Sequence, residues 1–239
     1  LFTNTTGASN VAMGDSALRA NTTASNGTAL GHSALTANTT GTNNTAVGYQ
    51  ALKANTTGAS NTAIGSESLD AVTTGDANTA VGRFAGSAIT TGLGNTAIGY
   101  QALDALTTSN YNTAIGFDAL SANTAADNVA VGTNALNACT TGTANTGIGR
   151  SALEASTTND HNTAIGRSAA SSQTTAGNTI AIGSSAASNL TTGNNNTVVG
   201  TSAGQAIVDS SSNVLFGYAV NTSASGVSEL VIGVQKTGK

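Results

Sequence analysis

The sequence predicts an all-β protein, a parallel β-solenoid of about fourteen coils. Glycine recurs along the whole chain, at intervals of seventeen residues eleven times and sixteen residues twice. Composition agrees, since the chain has 29 Gly, no Pro and only 8% charged residues. A period this strict is typical of solenoids, in which each repeat forms one coil stacked on the last. The repeat glycines are Gly14, Gly31, Gly48, Gly65, Gly82, Gly99, Gly116, Gly132, Gly149, Gly166, Gly183, Gly200, Gly217 and Gly233.

The first half of each repeat reads as a short strand, Asn-Thr-Ala-Ile/Val, that ends at the repeat glycine. Neighbouring side chains of a strand point to opposite faces, so the Ala and Ile/Val columns face opposite ways. Because both columns are apolar, both faces of the strand should be covered. One cover is the coil interior, and the other is something outside the coil. The residues expected to carry this structure include Asn61, Ile64, Gly65, Asn95, Ile98 and Gly99.

The second half of the repeat carries a Leu column, represented by Leu103, beside a column of alanines. A coil this thin has room for roughly one large side chain per turn at a sheet spacing of about 10 Å. The Ala columns are therefore expected to lie against other chains, and self-association is the simplest arrangement. A helical Ala-Leu-x-Ala segment stays open as an alternative, because these residues favour helices.

Each repeat closes with Thr-Thr-Gly or a variant, where glycine is expected to supply the positive φ of a tight turn. The asparagines that open the strands, Asn61 and Asn95 among them, should stack as an amide ladder between coils. Cys139 takes a place filled by Val72 and Leu106 in other repeats, which predicts a small buried side chain rather than a reactive thiol.

Both ends of the chain depart from the repeat. The first residues match the middle of a later coil, since Leu1 and Asn4 correspond to Leu52 and Asn55, so we expect the chain to be an excerpt from a longer polypeptide. Residues 1–217 are predicted to form the repetitive solenoid. Residues 218–239 lose the Thr-Thr pair and are expected to form a cap or a transition to a further domain.

Charge and motifs exclude several classes of function. The formal net charge of −4 leaves no basic surface for a phosphate backbone, which predicts no nucleic-acid partner. No apolar run approaches the roughly 18 residues of a membrane span, so no membrane insertion is expected. The sequence contains no nucleophile elbow, phosphate loop or metal-ligand cluster. We therefore predict a non-enzymatic protein without cofactor or metal.

The residue directly after the repeat glycine is the most variable of the repeat, and this post-glycine column is predicted to face solvent. Arg150 and Arg167 would lie one coil apart, about 4.8 Å, and two like charges this close are tolerated only in water. The column is the candidate binding face, with tyrosine rings as stacking platforms for a glycan, although ordinary surface variation explains it too. Its candidate residues are Tyr49, Arg83, Tyr100, Phe117, Arg150 and Arg167.

The Asn-Thr-Ala-Ile-Gly and Asn-Thr-Ala-Val-Gly motifs resemble repeats in the head domains of trimeric autotransporter adhesins. The longer unit, with Tyr-Gln-Ala-Leu and Asn-Thr-Thr-Gly, is even more similar to repeats of bacteriophage tail fibres. The resemblance covers nearly all of residues 1–217. It implies a left-handed β-roll, an intertwined homotrimer, an extracellular location on a virion or bacterial surface, and attachment to a cell-surface glycan or protein receptor.

The leading hypothesis is thus a structural and adhesive segment of a homotrimeric fibre. Two alternatives remain: a monomeric ice-binding or glycan-binding solenoid, and the shaft of a depolymerase whose catalytic domain lies elsewhere. Oligomeric state separates the fibre from the monomeric solenoid, because a monomer leaves an apolar column uncovered.

Overall fold

A computed structural model describes residues 2–223 and 226–233 of the chain. The chain divides into two compact units, Leu1–Ala126 (unit 1) and Asp127–Lys239 (unit 2). Within the described residues the regular secondary structure consists of three-residue β-strands joined by turns, without a helix. The all-β class predicted from the sequence is confirmed.

Unit 1 contains seven parallel strands that pair in chain order, one per coil. The pairing keeps the repeat in register, since Thr62, Ala63 and Ile64 lie opposite Thr79, Ala80 and Val81. Unit 1 is therefore a parallel β-solenoid. Its strands are β1 (Val11–Met13), β2 (Thr28–Leu30), β3 (Thr45–Val47), β4 (Thr62–Ile64), β5 (Thr79–Val81), β6 (Thr96–Ile98) and β7 (Thr113–Ile115).

Unit 2 repeats the same architecture with seven further strands in parallel register. The predicted cap or transition segment, residues 218–239, lies partly outside the described residues, and within it Leu230–Ile232 pair with the preceding strand. The strands of unit 2 are β8 (Val129–Val131), β9 (Thr146–Ile148), β10 (Thr163–Ile165), β11 (Ile180–Ile182), β12 (Thr197–Val199), β13 (Val214–Phe216) and β14 (Leu230–Ile232).

The interior of most coils is lined by the middle residue of the strand and by the Ala-Leu pair of the second half. Ala63 and Ala97 are buried, as are Leu69 and Leu103, the large side chains that fill their coils. The expectation that the Ala columns meet other chains is wrong. Ala is the residue that a thin coil can place beside its leucines, so the alanines face inward and the Ile/Val column faces outward.

The Ala-Leu segment is a turn, and the helical alternative is wrong. In the fourth coil Glu67 and Leu69 both have left-handed backbone, with φ of 57° and 48°. Left-handed residues cost roughly 1–2 kcal/mol each and break a right-handed helix. Burying the Leu69 side chain offsets much of that cost, because a fully buried leucine contributes about 1.5–3 kcal/mol.

The two kinds of glycine have different roles from those predicted. Positive φ occurs at the repeat glycine, 138° at Gly65, whereas Gly58 of the Thr-Thr-Gly corner lies outside the left-handed region. The corner needs glycine for space: a Cβ on Gly58 would overlap the carbonyl oxygen of Gly75 in the next coil. The prediction of positive φ at the corner is therefore wrong, and close stacking of backbones is the reason for its glycine.

The predicted amide ladder is present and buried. Asn61 donates from Nδ2 to the Gly75 carbonyl at 2.8 Å and accepts from the backbone N–H of Asn78 at 2.9 Å. Asn95 continues the ladder, accepting from the backbone N–H of Asn112 at 2.9 Å. Each asparagine thus satisfies a buried backbone donor of the next coil, which holds the coils in register.

A second polar column, which sequence reasoning did not predict, runs through the interior of the first coils. Asn38 and Asn55 are fully buried, and Asn55 donates to Oδ1 of Asn38 at 2.8 Å and to the Gly58 carbonyl at 2.9 Å. The column then becomes apolar at Val72 and later holds Cys139, which is buried as predicted. Burial raises the pKa of the Cys139 thiol to about 11, so the thiol is neutral and unreactive at neutral pH.

The amide ladder of unit 2 is interrupted at Thr179, which predicts a stabilising substitution. Thr179 donates its backbone N–H to Asn162, but its hydroxyl oxygen is buried without a hydrogen-bond partner. We expect Thr179→Asn to restore a rung and raise the free energy of unfolding by about 1 kcal/mol, the usual contribution of one hydrogen bond. Denaturant titration at fixed protein concentration measures the gain. Thr197→Asn, on the outward face of β12, is the matched control and should give none.

Candidate functional site

The post-glycine column is exposed in both units, as the sequence predicts. In unit 1 the side chains of Tyr49 and Phe117 are 49% and 50% exposed, and Arg83 and Tyr100 are exposed too. In unit 2 Arg150 and Arg167 are exposed. All six candidate residues therefore lie on the surface, where a large partner could reach them.

Within unit 1 the structure brings three of the candidates together with one further residue. The rings of Tyr100 and Phe117 stack with centroids 5.3 Å apart and planes 14° from parallel. Phe84 packs edge-on against Tyr100 at 6.2 Å, and the guanidinium carbon of Arg83 lies 4.3 Å above the centre of the Phe84 ring. These four residues form one cluster across three coils, which we call the aromatic ladder.

The stacking limits what the aromatic ladder can bind. Tyr100 has Phe117 against one face and the edge of Phe84 nearby, so its ring is engaged within the protein. Such contacts contribute about 0.5–1.5 kcal/mol per pair beyond the buried area. The ladder therefore stabilises coil stacking. The predicted role of Tyr100 as a stacking platform for a glycan stays a prediction, with Phe117 already stacked on its ring.

Phe84 was not among the predicted site residues. It follows Arg83 and has left-handed backbone, with φ of 60°, which turns its ring toward the coil of Tyr100. The sequence signal that could have identified Phe84 is its aromatic side chain next to the variable post-glycine column. Its contact could not be predicted from spacing alone, because the direction of the side chain depends on that backbone angle.

Tyr49 forms a separate stack with His32. Their ring centroids are 5.5 Å apart and the planes 17° from parallel, while Nε2 of His32 lies 3.5 Å from Oδ2 of Asp15. His161, the other histidine, belongs to unit 2. Among the described residues no group of three or more His, Cys, Asp or Glu side chains is placed to hold a metal ion.

The arginine pair of unit 2 carries uncompensated charge. Arg150 and Arg167 follow successive repeat glycines, whose coils pair through β9 and β10. In the parts of the chain that the structure describes, neither arginine forms an ion pair with a carboxylate. Water screens the repulsion between them, in line with the prediction that this column faces solvent.

Outside these clusters, burial shifts the pKa of two half-buried carboxylates. Desolvation raises the pKa of Asp70, and the nearby Glu67 carboxylate raises it further. Desolvation likewise raises the pKa of Asp104, which accepts a hydrogen bond from Gln101 at 3.2 Å. Asp70 and Asp104 lie two coils apart on opposite sides of Ser87, which separates them too far for paired acid–base chemistry.

The outward face of each sheet is a second candidate surface, which we call the sheet face. It consists of the first and third residues of every strand. In unit 1, Ile64 and Ile115 are 41% and 36% exposed, and in unit 2 Ile165 is 37% exposed. The fourteen strands place only Thr, Val, Ile, Leu, Met or Phe at these positions, so the sheet face carries no charge in either unit.

Comparisons of the chain with protein-family models, with curated proteins and with solved structures give no match. Among the described residues, no helix has the length and apolar character needed to cross a membrane. The geometry of the aromatic ladder, the arginine pair and the sheet face is therefore the basis for assigning a function.

Proposed function

We propose that the chain is a structural and adhesive segment of a homotrimeric fibre. The observation that carries this proposal is the sheet face, where an isoleucine or valine of nearly every strand lies partly in water in register with the next. Contiguous exposed apolar surface of this kind marks sites of association. The resemblance of the repeat to trimeric adhesin heads and phage tail fibres agrees with the proposal.

A second copy of the chain fits the sheet face better than a different partner. The face has the period of the coils, so another copy presents the same spacing of about 4.8 Å along its whole length. The face also lacks charged side chains, so identical surfaces can approach without like-charge repulsion. The post-glycine column, with Arg83 and the pair Arg150 and Arg167, lacks this property.

The size of the sheet face indicates that flanking side chains take part in association. Seven three-residue strands cover roughly 10 Å by 34 Å in each unit, about 340 Å². A standard stable interface buries about 800 Å² per partner. The sheet face of a single unit does not reach that value, so association should also bury the side chains that flank it.

The proposed mechanism is mechanical. Within each unit, backbone hydrogen bonds join successive coils, and buried asparagines and leucines reinforce most of these contacts, which should resist pulling and proteolysis. Association through the sheet face would leave the post-glycine column exposed for a cell-surface receptor, a glycan or a protein. We therefore propose that the fibre lies on the outside of a cell or virion.

Solution mass tests the proposal. Light scattering on the purified chain should give three times the 23.1 kDa mass of one chain. The triple variant Ile64→Glu, Ile115→Glu and Ile165→Glu should be a folded monomer, because these side chains already contact water in the single chain but would bring like charges together between copies.

The matched control places the same three charges on another surface. Thr57, Thr108 and Thr158 are exposed residues of the Thr-Thr corners, and their replacement by glutamate should leave the mass of the trimer unchanged. A wild-type chain that is monomeric at all concentrations contradicts the proposal, as does a trimer that persists in the isoleucine variant.

A monomer would direct attention to ice binding, the alternative with a specific observation in its favour. Thr62, Thr79 and Thr96 lie in register on the sheet face, one per coil. These residues form a column of threonines in register on the sheet face. Thermal hysteresis of the monomer, lost in Thr79→Lys, would then identify an ice-binding solenoid.

A further inference from the structure

One position interrupts the post-glycine column of unit 1. In six of its seven coils this column holds an aromatic or charged side chain, and in the fourth coil it holds only the hydroxymethyl group of Ser66. Ser66 lies between Tyr49, one coil before it, and Arg83, one coil after it. The seven residues in order are Asp15, His32, Tyr49, Ser66, Arg83, Tyr100 and Phe117.

The gap at Ser66 has the height of one ring. Consecutive rings of the column stack with centroids 5.5 Å apart at His32 and Tyr49 and 5.3 Å apart at Tyr100 and Phe117. Successive coils are about 4.8 Å apart. A ring held at the level of Ser66 would therefore meet Tyr49 at the same stacking distance that the protein uses elsewhere.

The Tyr49 ring has one face available toward this gap. His32 covers the other face with nearly parallel planes, and the Tyr49 side chain remains 49% exposed. On the far side of the gap, the guanidinium carbon of Arg83 lies 4.3 Å from the centre of the Phe84 ring. The gap thus lies between the Tyr49 ring and an arginine of the next coil along the chain.

The groups around the gap suit a sugar better than an aromatic side chain. Ser66 provides a hydroxyl, the following residue Glu67 a carboxylate, and Arg83 several N–H donors. A pyranose can place its C–H groups on the negative face of Tyr49 and its hydroxyls toward these polar groups. A hydrocarbon ring would leave the polar groups unused.

We propose that the gap at Ser66 binds one pyranose ring of a neutral glycan, stacked on Tyr49 and hydrogen-bonded by Arg83. This inference rests on the proposed adhesive function and names the class of receptor for it. Bound sugar would complete the interrupted column, with the rest of the glycan extending into solvent.

The experiment titrates the full chain with methyl glycosides of glucose, galactose, mannose and N-acetylglucosamine. Saturation-transfer NMR detects contact with protein protons, and tyrosine fluorescence gives the dissociation constant, since the chain has no tryptophan. At least one glycoside should bind the wild type. Ser66→Tyr, which fills the gap with a side chain of the column, should weaken that affinity at least tenfold, and Tyr49→Ser should do the same.

Ser184→Tyr is the matched control. Ser184 directly follows the repeat glycine Gly183 in unit 2, so the variant adds the same side chain to an equivalent position and leaves the gap at Ser66 open. Its affinity for the glycoside should equal that of the wild type. Light scattering of each variant records whether assembly is retained.

Three results would overturn the proposal: no glycoside binds the wild type at millimolar concentration, Ser66→Tyr binds as well as the wild type, or p-cresol binds the gap more tightly than every glycoside. The last result would assign the gap to an aromatic side chain of a protein. A trimer that binds no sugar would reject only the glycan site at Ser66. A monomer that binds sugar would reject only the homotrimeric fibre.

Discussion

Gly65→Ala is expected to lower the free energy of unfolding by about 3 kcal/mol or more. At φ of 138° an L-residue is strained whatever space surrounds it, at a cost of about 1–3 kcal/mol. A Cβ would also overlap the carbonyl oxygen of Gly82 and lie 2.6 Å from its carbonyl carbon. Both atoms belong to the backbone of the next coil, so relief would require the coils to separate. Denaturant titration at fixed concentration measures the loss.

Gly177→Ala separates this effect from a general cost of losing glycine. A Cβ on Gly177 would have no atom nearer than the Asp160 carbonyl oxygen at 3.4 Å, and its φ lies outside the left-handed region. The substitution should be neutral or stabilise the fold by up to about 1 kcal/mol, because alanine restricts the unfolded chain. Equal losses at Gly65 and Gly177 would show that close stacking of glycines is not what the repeat requires.

The spacing of the repeat predicted the strands, their parallel order and the amide ladder, because each depends on residues that recur in register. It did not decide which apolar column faces inward. Ala63 and Ile64 are both apolar, and the choice depends on the free space left beside Leu69. That space is a property of the closed coil. Only the packed structure shows that a methyl group fills it.

The second polar column was missed because asparagine before Thr-Thr-Gly reads as a turn residue. In the structure the Asn55 amide turns inward and donates to the Gly58 carbonyl of its own corner. Its Oδ1 atom is buried without a partner, since Val72 holds the next place in the column. Asn55 and Val72 occupy the same position of successive repeats. The apolar residue at that position indicates burial, and this was the sequence signal for the second polar column.

For the surface sites, the sequence predicted which residues are exposed but not which of them are in contact. Variability after the repeat glycine correctly predicted that Tyr49 and Arg83 are exposed. Which rings touch could not be predicted, because contacts such as that between Phe84 and Tyr100 depend on left-handed backbone in the turn. The Ile/Val residues of the sheet face were predicted as one apolar column. Their exposure could not be predicted, because it depends on the alanine column filling the interior.

Asn61→Ala is expected to lower the free energy of unfolding by about 3 kcal/mol or more. Asn61 is fully buried, and its removal leaves the backbone N–H of Asn78 and the carbonyl of Gly75 without their present partners. A buried group that loses its hydrogen bond costs about 1–3 kcal/mol. Asn189→Ala is the control, because Asn189 is exposed and donates to the Gln205 carbonyl at 2.9 Å in contact with water. The control should change stability by less than about 0.5 kcal/mol.

Asn61→Leu distinguishes lost hydrogen bonds from lost volume. Leucine restores most of the volume that alanine removes but can neither accept from Asn78 nor donate to Gly75. If the ladder stabilises the solenoid through its hydrogen bonds, the leucine variant should be destabilised about as much as the alanine variant. Recovery of most of the stability by leucine would mean that Asn61 acts as a filler. Register between coils would then depend on the backbone ladder and the glycine stack alone.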